Sequence, residues 1–271
     1  MPTAAVNGID LHYESLGAGP PIIALHGGLG FDHTYMRNAF GKLAKSYNLI
    51  CPDLRCNGLS LAPIETLSME QLADDIAGLM DALLIEKATI LGHSYGGFIA
   101  QEFALRHPDR MERLVLVDTS PGNLGVGESE AEAGSPMPAE MVELLSQLPT
   151  SDDEVADLLA RLMPFYIHSA PVVDGIRLFE GTVCRAAPIA AGFEVLAGWS
   201  SIDRLKTIEV PTLALWGQHD VICSTAQAER IVSRIPGAEL HIFEASGHFP
   251  WVDEPAAFFA VLEHWLAKRI F

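Results

Sequence analysis

Leu91-Gly92-His93-Ser94-Tyr95-Gly96-Gly97 is the stretch on which the reading of this chain turns. An apolar run, Ala88 to Leu91, precedes it, and a segment of helical spacing, Phe98 to Leu105, follows. The pattern predicts a strand that ends, a sharp turn with a serine at its apex, and a helix that starts at once. Glycines two before and two after Ser94 suit such a turn, because a β-carbon at either place would strike the neighbouring helix or strand. The turn carries the Ser94 hydroxyl clear of the sheet, beside a helix N-terminus where a developing oxyanion is stabilised. Taken alone, the same letters also fit a glycine-rich turn with Ser94 as an N-cap. The rest of the chain decides between them.

Upstream, Thr3 to Val6 and Ile9 to Tyr13 flank Asn7-Gly8, a hairpin signal that places an antiparallel edge at the start of the sheet. Pro21 leads into Ile22-Ile23-Ala24-Leu25, a buried-strand run ending at His26-Gly27-Gly28, and a helix is expected around Tyr35 to Ser46. Asn48 to Cys51 is the next strand. Ser68-Met69-Glu70-Gln71 resembles a capping box and opens a helix with Leu72, Ile76, Leu79, Met80 and Leu83 on one face.

Downstream, the helix after Ser94 ends near His107-Pro108, and Leu114 to Val117 forms a strand ending at Asp118. The alternation breaks between Thr119 and Leu205. Gly122 to Pro138 reads as a loop, with the acidic run Glu128 to Glu132 as a solvated part of it. Glu140 to Leu148, Asp152 to Met163 and Ile176 to Leu196 read as helices. Strands resume at Pro211 to Trp216 and Glu239 to Phe243, with helices at Ala226 to Arg234 and Pro255 to Lys268. Alternating buried strands and amphipathic helices predict a mostly parallel sheet of eight strands flanked by helices, an α/β fold. Residues 1–119 and 206–271 form its core, and residues 120–205 a helical cap inserted over the strand ends.

Composition narrows the function classes. With 271 residues, 49% hydrophobic and 19% charged, the chain buries a sizeable core. A formal charge of −18 repels phosphate backbones and anionic bilayers, so neither nucleic acid nor membrane is expected as a partner. No signal peptide pattern and no apolar run near the roughly 18 residues of a membrane span are present. Cys51, Cys56, Cys184 and Cys223 are scattered without a C-x-x-C pair; reduced thiols and a cytoplasmic location are expected, and no metal site.

In open parallel sheets reactive groups gather at the carboxyl ends of the strands, where His26, Asp53, Ser94 and Asp118 all fall. A serine hydroxyl is a poor nucleophile until a base reaches it and a third group orients the base. His248 follows the last strand, in a loop that Gly247 allows to turn, and Asp220 follows the strand before it. The order Ser94, Asp220, His248 is that of a hydrolytic triad. Alone, His248 reads as a satisfied loop histidine and Asp220 as a helix cap. Together, at successive strand ends, they point to nucleophilic catalysis. Two N–H groups are needed to hold the oxyanion, and those of Gly28 and Tyr95 are the candidates. His26, His93 and His219 are assigned structural roles, with His93 pointing away from the nucleophile. Asp118 is the alternative carboxylate, and Asp53 and Arg55 are expected to tie the neighbouring loop by a charge-assisted bond. Leu29, Phe165, Tyr166, Phe179, Trp199 and Phe249 are the candidate substrate contacts.

At this point the chain resembles the α/β-hydrolase superfamily over nearly its whole length. More narrowly, His26-Gly27-Gly28-Leu29-Gly30 with Asp32-His33 is similar to the His-Gly-Gly-Pro-Gly stretch of proline iminopeptidase-like hydrolases. Gly92-His93-Ser94-Tyr95-Gly96-Gly97 and Asp53-Leu54-Arg55-Cys56-Asn57-Gly58-Leu59-Ser60 look like that group too. Leu29 stands where those peptidases usually carry proline, and Cys56 where the aspartate-arginine loop usually carries glycine. The resemblance implies an α/β-hydrolase fold and a cofactor-independent serine hydrolase.

The expected substrate is a small-molecule ester or lactone, such as an N-acyl homoserine lactone. The first rival is an amide cut by an aminopeptidase of the iminopeptidase kind. That rival requires Glu180 or Glu194 to face the pocket and hold a free amine. A non-catalytic binding protein and carbon–carbon bond cleavage or cofactor-free oxidation on the same triad are the other readings. No cofactor is expected, and a homodimer is left open.

Overall fold

The computed structural model describes residues 2–122 and 137–268. Most of the expected loop from Gly122 to Pro138, with its acidic run, lies outside the described residues. Eight strands form one sheet: β1 (Thr3–Val6), β2 (Ile9–Leu16), β3 (Pro21–Leu25), β4 (Asn48–Pro52), β5 (Ala88–His93), β6 (Met111–Val117), β7 (Thr212–Gly217) and β8 (Glu239–Phe243). Their order is β1-β2-β4-β3-β5-β6-β7-β8. The first two pairings are antiparallel and the rest parallel. Asn7 and Gly8 both have positive φ, as the two-residue turn between β1 and β2 requires.

Side chains alternate between two apolar layers, the period-two consequence of a pleated strand. Ile23, Ile90 and Leu116 face one layer, where α2 (Met69–Ala82) and α3 (Tyr95–Arg106) bring Ile76 and Phe103. Ile22, Leu91 and Val115 face the other. There α1 (Thr34–Phe40) and the last helix bring Phe40, Phe258 and Trp265. Ser68 caps α2 by accepting the Gln71 N–H at 3.1 Å, a contact worth about 1 kcal/mol. The Gln71 side chain does not return to the cap; it donates to Asp75 instead, at 2.9 Å.

Among the described residues, four α-helices stand between β6 and β7: α4 (Ala139–Ser146), α5 (Asp152–Tyr166), α6 (Val172–Leu178) and α7 (Ala187–Ala197). The helix expected over Ile176 to Leu196 is thus two helices. Gly181, at φ 86, ends the first stretch, and Pro188 sits at the start of the second, where its missing N–H costs nothing. The expected helix over Tyr35 to Ser46 is α-helical only to Phe40 and continues as a 3-10 turn from Gly41 to Lys45. The chain closes with α8 (Thr225–Val232), α9 (Pro250–Asp253) and α10 (Pro255–Leu266). No helix among the described residues is long and apolar enough to cross a membrane.

Asp53 and Arg55 bind different partners. Asp53 accepts from the His33 ring and from the backbone N–H groups of His33 and Leu59. Arg55 turns towards α2, where Asp75 takes its guanidinium at 2.6 and 2.8 Å. A buried guanidinium needs a bidentate carboxylate, and the α2 face supplies one.

Candidate active site

Ser94 sits between β5 and α3 with φ 50 and ψ −117, a conformation L-residues rarely hold. Its neighbours enforce it. A β-carbon on Gly92 would lie 2.3 Å from the Gly96 carbonyl oxygen, and one on Gly96 would lie 2.2 Å from that of Leu25. The helix therefore starts against the strands at a distance only glycine allows. The Ser94 N–H is held by the Val117 carbonyl at 3.0 Å, and the Ser94 carbonyl accepts the Thr119 hydroxyl at 2.8 Å.

His248 and Asp220 meet at the ends of β8 and β7. Nδ1 of His248 lies 2.8 Å from Oδ2 of Asp220, with both residues buried. Since Oδ2 is an acceptor, Nδ1 carries the proton, and in the neutral ring the lone pair is on Nε2. The other Asp220 oxygen accepts the N–H groups of Ile222 and Cys223 at 2.7 and 3.1 Å. The His248 loop is tied down from three sides. Its own N–H donates to the Tyr166 carbonyl at 2.8 Å, the Gly247 N–H to Asp253 at 2.9 Å, and the Ala245 N–H to Glu254 at 2.9 Å.

Ser94 and His248 line one small cavity of about 50 Å³, with Tyr35, Tyr166, Phe179 and Phe249 around it. Ser94 also lines a second cavity of about 150 Å³, roofed by Met141, Val155, Leu159, Leu162 and Phe193 of α4, α5 and α7. Leu29 and Tyr95 line this larger one, and Gly28 and Tyr166 line both. No charged side chain among the described residues lines the larger cavity. Gly28 has φ 67, and a β-carbon there would overlap the Phe31 ring at 2.1 Å. Among the described residues, the N–H groups of Gly28 and Tyr95 donate to no protein acceptor.

Other residues lie elsewhere. Trp199 packs on Phe98 and gives its indole N–H to Glu102 at 2.8 Å, so it reaches neither cavity; Phe165 lines neither. Glu180 and Glu194 are exposed and line neither cavity. His26 braces its loop, accepting the Leu54 N–H at Nε2, and burial holds its pKa below the ordinary value. His219 is exposed, with its ring stacked 3.7 Å from that of His168.

His93 does not point away from the site. It is buried in the wall of the small cavity, its ring centroid 4.7 Å from that of His248. Burial and the neighbouring His248 charge push its pKa well down, so it stays neutral. Tyr35 and Asp253 were not legible as site residues. The signal for Asp253 was the acidic pair Asp253-Glu254 ahead of Pro255, two residues whose side chains cap the neighbouring loop.

Among the described residues, the groups with ligand atoms close enough for a metal are Asp220, Cys223 and His248, and Asp32, His33 and Asp53. In both, the histidine and a carboxylate are already bonded to each other.

A serine at a strained strand-to-helix turn, sharing a cavity with a histidine held by a carboxylate, on an eight-stranded sheet in this order, carries a family assignment that the comparisons confirm. A model of the alpha/beta hydrolase fold matches residues 20–255. The chain belongs to the α/β-hydrolase family. This α/β hydrolase is 29% identical over 271 residues to the 2-hydroxy-6-oxo-6-phenylhexa-2,4-dienoate hydrolase of Burkholderia cepacia, covering 95% of this chain and 91% of that one. Its structure is similar to that of the enol-lactonase from Burkholderia xenovorans LB400, at 28% identity and TM-score 0.79, over 98% of this chain and 100% of that one. It is also similar to a thermophilic esterase from Thermogutta terrifontis, at 27% identity and TM-score 0.78, over 97% and 96% of the two chains.

Proposed function

We propose that this α/β hydrolase cleaves an uncharged carboxylic ester or lactone by way of an acyl-enzyme, with Ser94 as nucleophile, His248 as base and Asp220 as its orienting carboxylate. The uncharged lining of the larger cavity carries this reading. A free amine finds no carboxylate there, because Glu180 and Glu194 lie outside, and this argues against an aminopeptidase. The Burkholderia cepacia relative is named for a dienoate, which bears a carboxylate. No arginine or lysine among the described residues lines either cavity at Ser94 to receive one, so carbon–carbon cleavage of such a substrate is the second reading.

The two cavities divide the substrate. His248 must protonate the leaving group, and it lines only the small cavity, so the alcohol half belongs there. The acyl half takes the larger cavity. A cavity of about 150 Å³ with apolar walls holds a body the size of benzene. That corresponds to a phenyl or an acyl group of about six carbons. In the reaction His248 Nε2 takes the Ser94 proton as Oγ attacks the carbonyl. The N–H groups of Gly28 and Tyr95 hold the oxyanion. The alcohol leaves with the proton from His248, and water activated by the same ring releases the acid.

The test is turnover of p-nitrophenyl acetate, hexanoate and dodecanoate, methyl benzoate, an N-acyl homoserine lactone, proline p-nitroanilide and a phenyl-substituted oxo-dienoate. Wild type is compared with Ser94→Ala. The expected outcome is turnover of the hexanoate, an aryl ester or the lactone, lost by about 10⁴-fold or more in Ser94→Ala. Exclusive turnover of the dienoate moves the assignment to carbon–carbon hydrolysis. Exclusive turnover of the anilide restores the peptidase.

A further inference from the structure

Asp118 ends β6 with φ 43, in the left-handed region that an aspartate seldom occupies. Its side chain is wholly buried. Oδ1 accepts the Gly217 N–H at 2.8 Å, and Oδ2 meets no donor. β6 and β7 are paired, and Gly217, which bonds Asp118, stands three residues before Asp220, so the loop after β7 brings the Asp220 carboxylate alongside it. Asp220 already accepts from Ile222 and Cys223 on one oxygen and from His248 on the other. Two buried carboxylates in contact do not both ionise, because each charge opposes the other and neither is solvated. Three donors stabilise the charge on Asp220 and one stabilises it on Asp118. The shared proton therefore belongs on Asp118, where it also gives Oδ2 a role.

We propose that Asp118 is a positioning residue that keeps its proton and donates it from Oδ2 to the Asp220 carboxylate, extending the Ser94–His248–Asp220 row to a fourth member. The inference rests on the role assigned to those three. The groups acting on Asp118 agree with it. Burial raises its pKa, and so do the charges of Asp220 beside it and Asp253 on α9; only the Gly217 N–H pulls the other way. A donor on Asp220 lowers that carboxylate's appetite for the Nδ1 proton, so that proton stays on the imidazole and Nε2 is left to exchange protons with Ser94 and the leaving group. It also fixes the plane in which Asp220 faces Nδ1.

The test uses Asp118→Asn and Asp118→Ala. The amide of Asp118→Asn can repeat both contacts, its oxygen towards Gly217 and its NH₂ towards Asp220. Asp118→Ala is expected to lower kcat about tenfold with KM little changed, and Asp118→Asn to recover most of that loss. The acid limb of the kcat/KM profile stays in place in Asp118→Asn, because one neutral group replaces another. A downward move of about one unit or more would mean that a negative charge had been removed, and would overturn the proposal.

Melting temperature gives a readout that needs no substrate. A folded acid that keeps a proton the unfolded chain releases makes stability fall as pH rises above about 4. The wild type should carry that slope and Asp118→Asn should not, so the variant's advantage grows from about pH 4 upward. A flat difference means Asp118 ionises normally and the proposal fails. If every substrate in the panel stays silent while the slope is present, the ester reading falls and the carboxyl pair stands.

Discussion

His93 Nε2 lies 3.1 Å from the backbone carbonyl oxygen of His248. A carbonyl only accepts, so Nε2 carries the proton and Nδ1 is an acceptor, filled by the Tyr35 hydroxyl at 2.8 Å. The Tyr35 oxygen in turn accepts the Gly27 N–H. One buried chain thus ties the loop holding the Gly28 N–H to the loop holding His248. Tyr35→Phe leaves His93 Nδ1 and the Gly27 N–H without partners, at a cost of about 1–3 kcal/mol of stability. Urea unfolding should read that loss, and steady-state kinetics should show kcat falling while KM holds.

Gly28→Ala tests the oxyanion assignment. The added methyl would meet the Phe31 ring at 2.1 Å and occupy a backbone site at φ 67. The loop must shift, and the Gly28 N–H with it. Loss of one oxyanion donor costs about 10²–10³ in kcat. The same variant should bind a transition-state mimic such as a boronic acid more weakly by a similar factor, while binding of a product acid changes little.

Val155→Phe fills the larger cavity from α5, where Val155 is buried in its roof. Acyl preference should shorten, with kcat/KM for p-nitrophenyl hexanoate falling by about 10-fold or more, the scale on which an apolar pocket discriminates chain length. Acetate turnover should stay close to wild type. Equal losses on both esters would place the acyl chain elsewhere.

His33 and Asp53 give a pH signature in stability. Burial works against the His33 charge, but the Asp53 bond and the Asp32 and Glu14 carboxylates outweigh it, and its pKa is raised. Burial likewise works against the Asp53 charge and is outweighed by His33, so its pKa is lowered. The contribution of Asp53 is present above about pH 3.9 and is lost as pH falls through its folded value. The contribution of His33 is present below about pH 6.5 and is lost as pH rises through its folded value. His33→Gln should therefore lower the melting temperature most between about pH 4 and 6.5, and less on either side.

The parts of this protein that were legible in sequence are those specified by short-range letters. The eight strands, the serine turn and the order of Ser94, Asp220 and His248 follow from apolar runs that stop at glycine or a charged residue. The fixed spacing of Gly92 and Gly96 is a steric demand visible without coordinates. What stayed hidden depends on distant partners. Tyr35 and His93 are 58 residues apart, and His93 and His248 are 155 apart, so no local pattern marks the chain they form. Arg55 chose Asp75 over Asp53 because α2 brings the former alongside, which spacing within the loop cannot reveal. Trp199 and Phe165 looked like pocket residues because an aromatic on a helix does not announce which face it occupies. Trp199 is claimed by Glu102 on α3.

The Ser94 hydroxyl is aimed by its own backbone, and the backbone is held by contacts that no substrate touches: Gly92 on Gly96, Gly96 on Leu25, Gly97 on Thr119. Inherited damage to this protein should therefore be read with care. A map of tolerated substitutions would show Gly92, Gly96 and Gly97 as unforgiving as the serine they surround, although none has a side chain to contribute. Conversely, apart from the Tyr166 carbonyl that holds the His248 N–H, the described helices between β6 and β7 supply cavity walls and no strand of the sheet, so lineages can exchange those walls more freely. Drift would then rewrite what the protein accepts long before it altered how Ser94 is held.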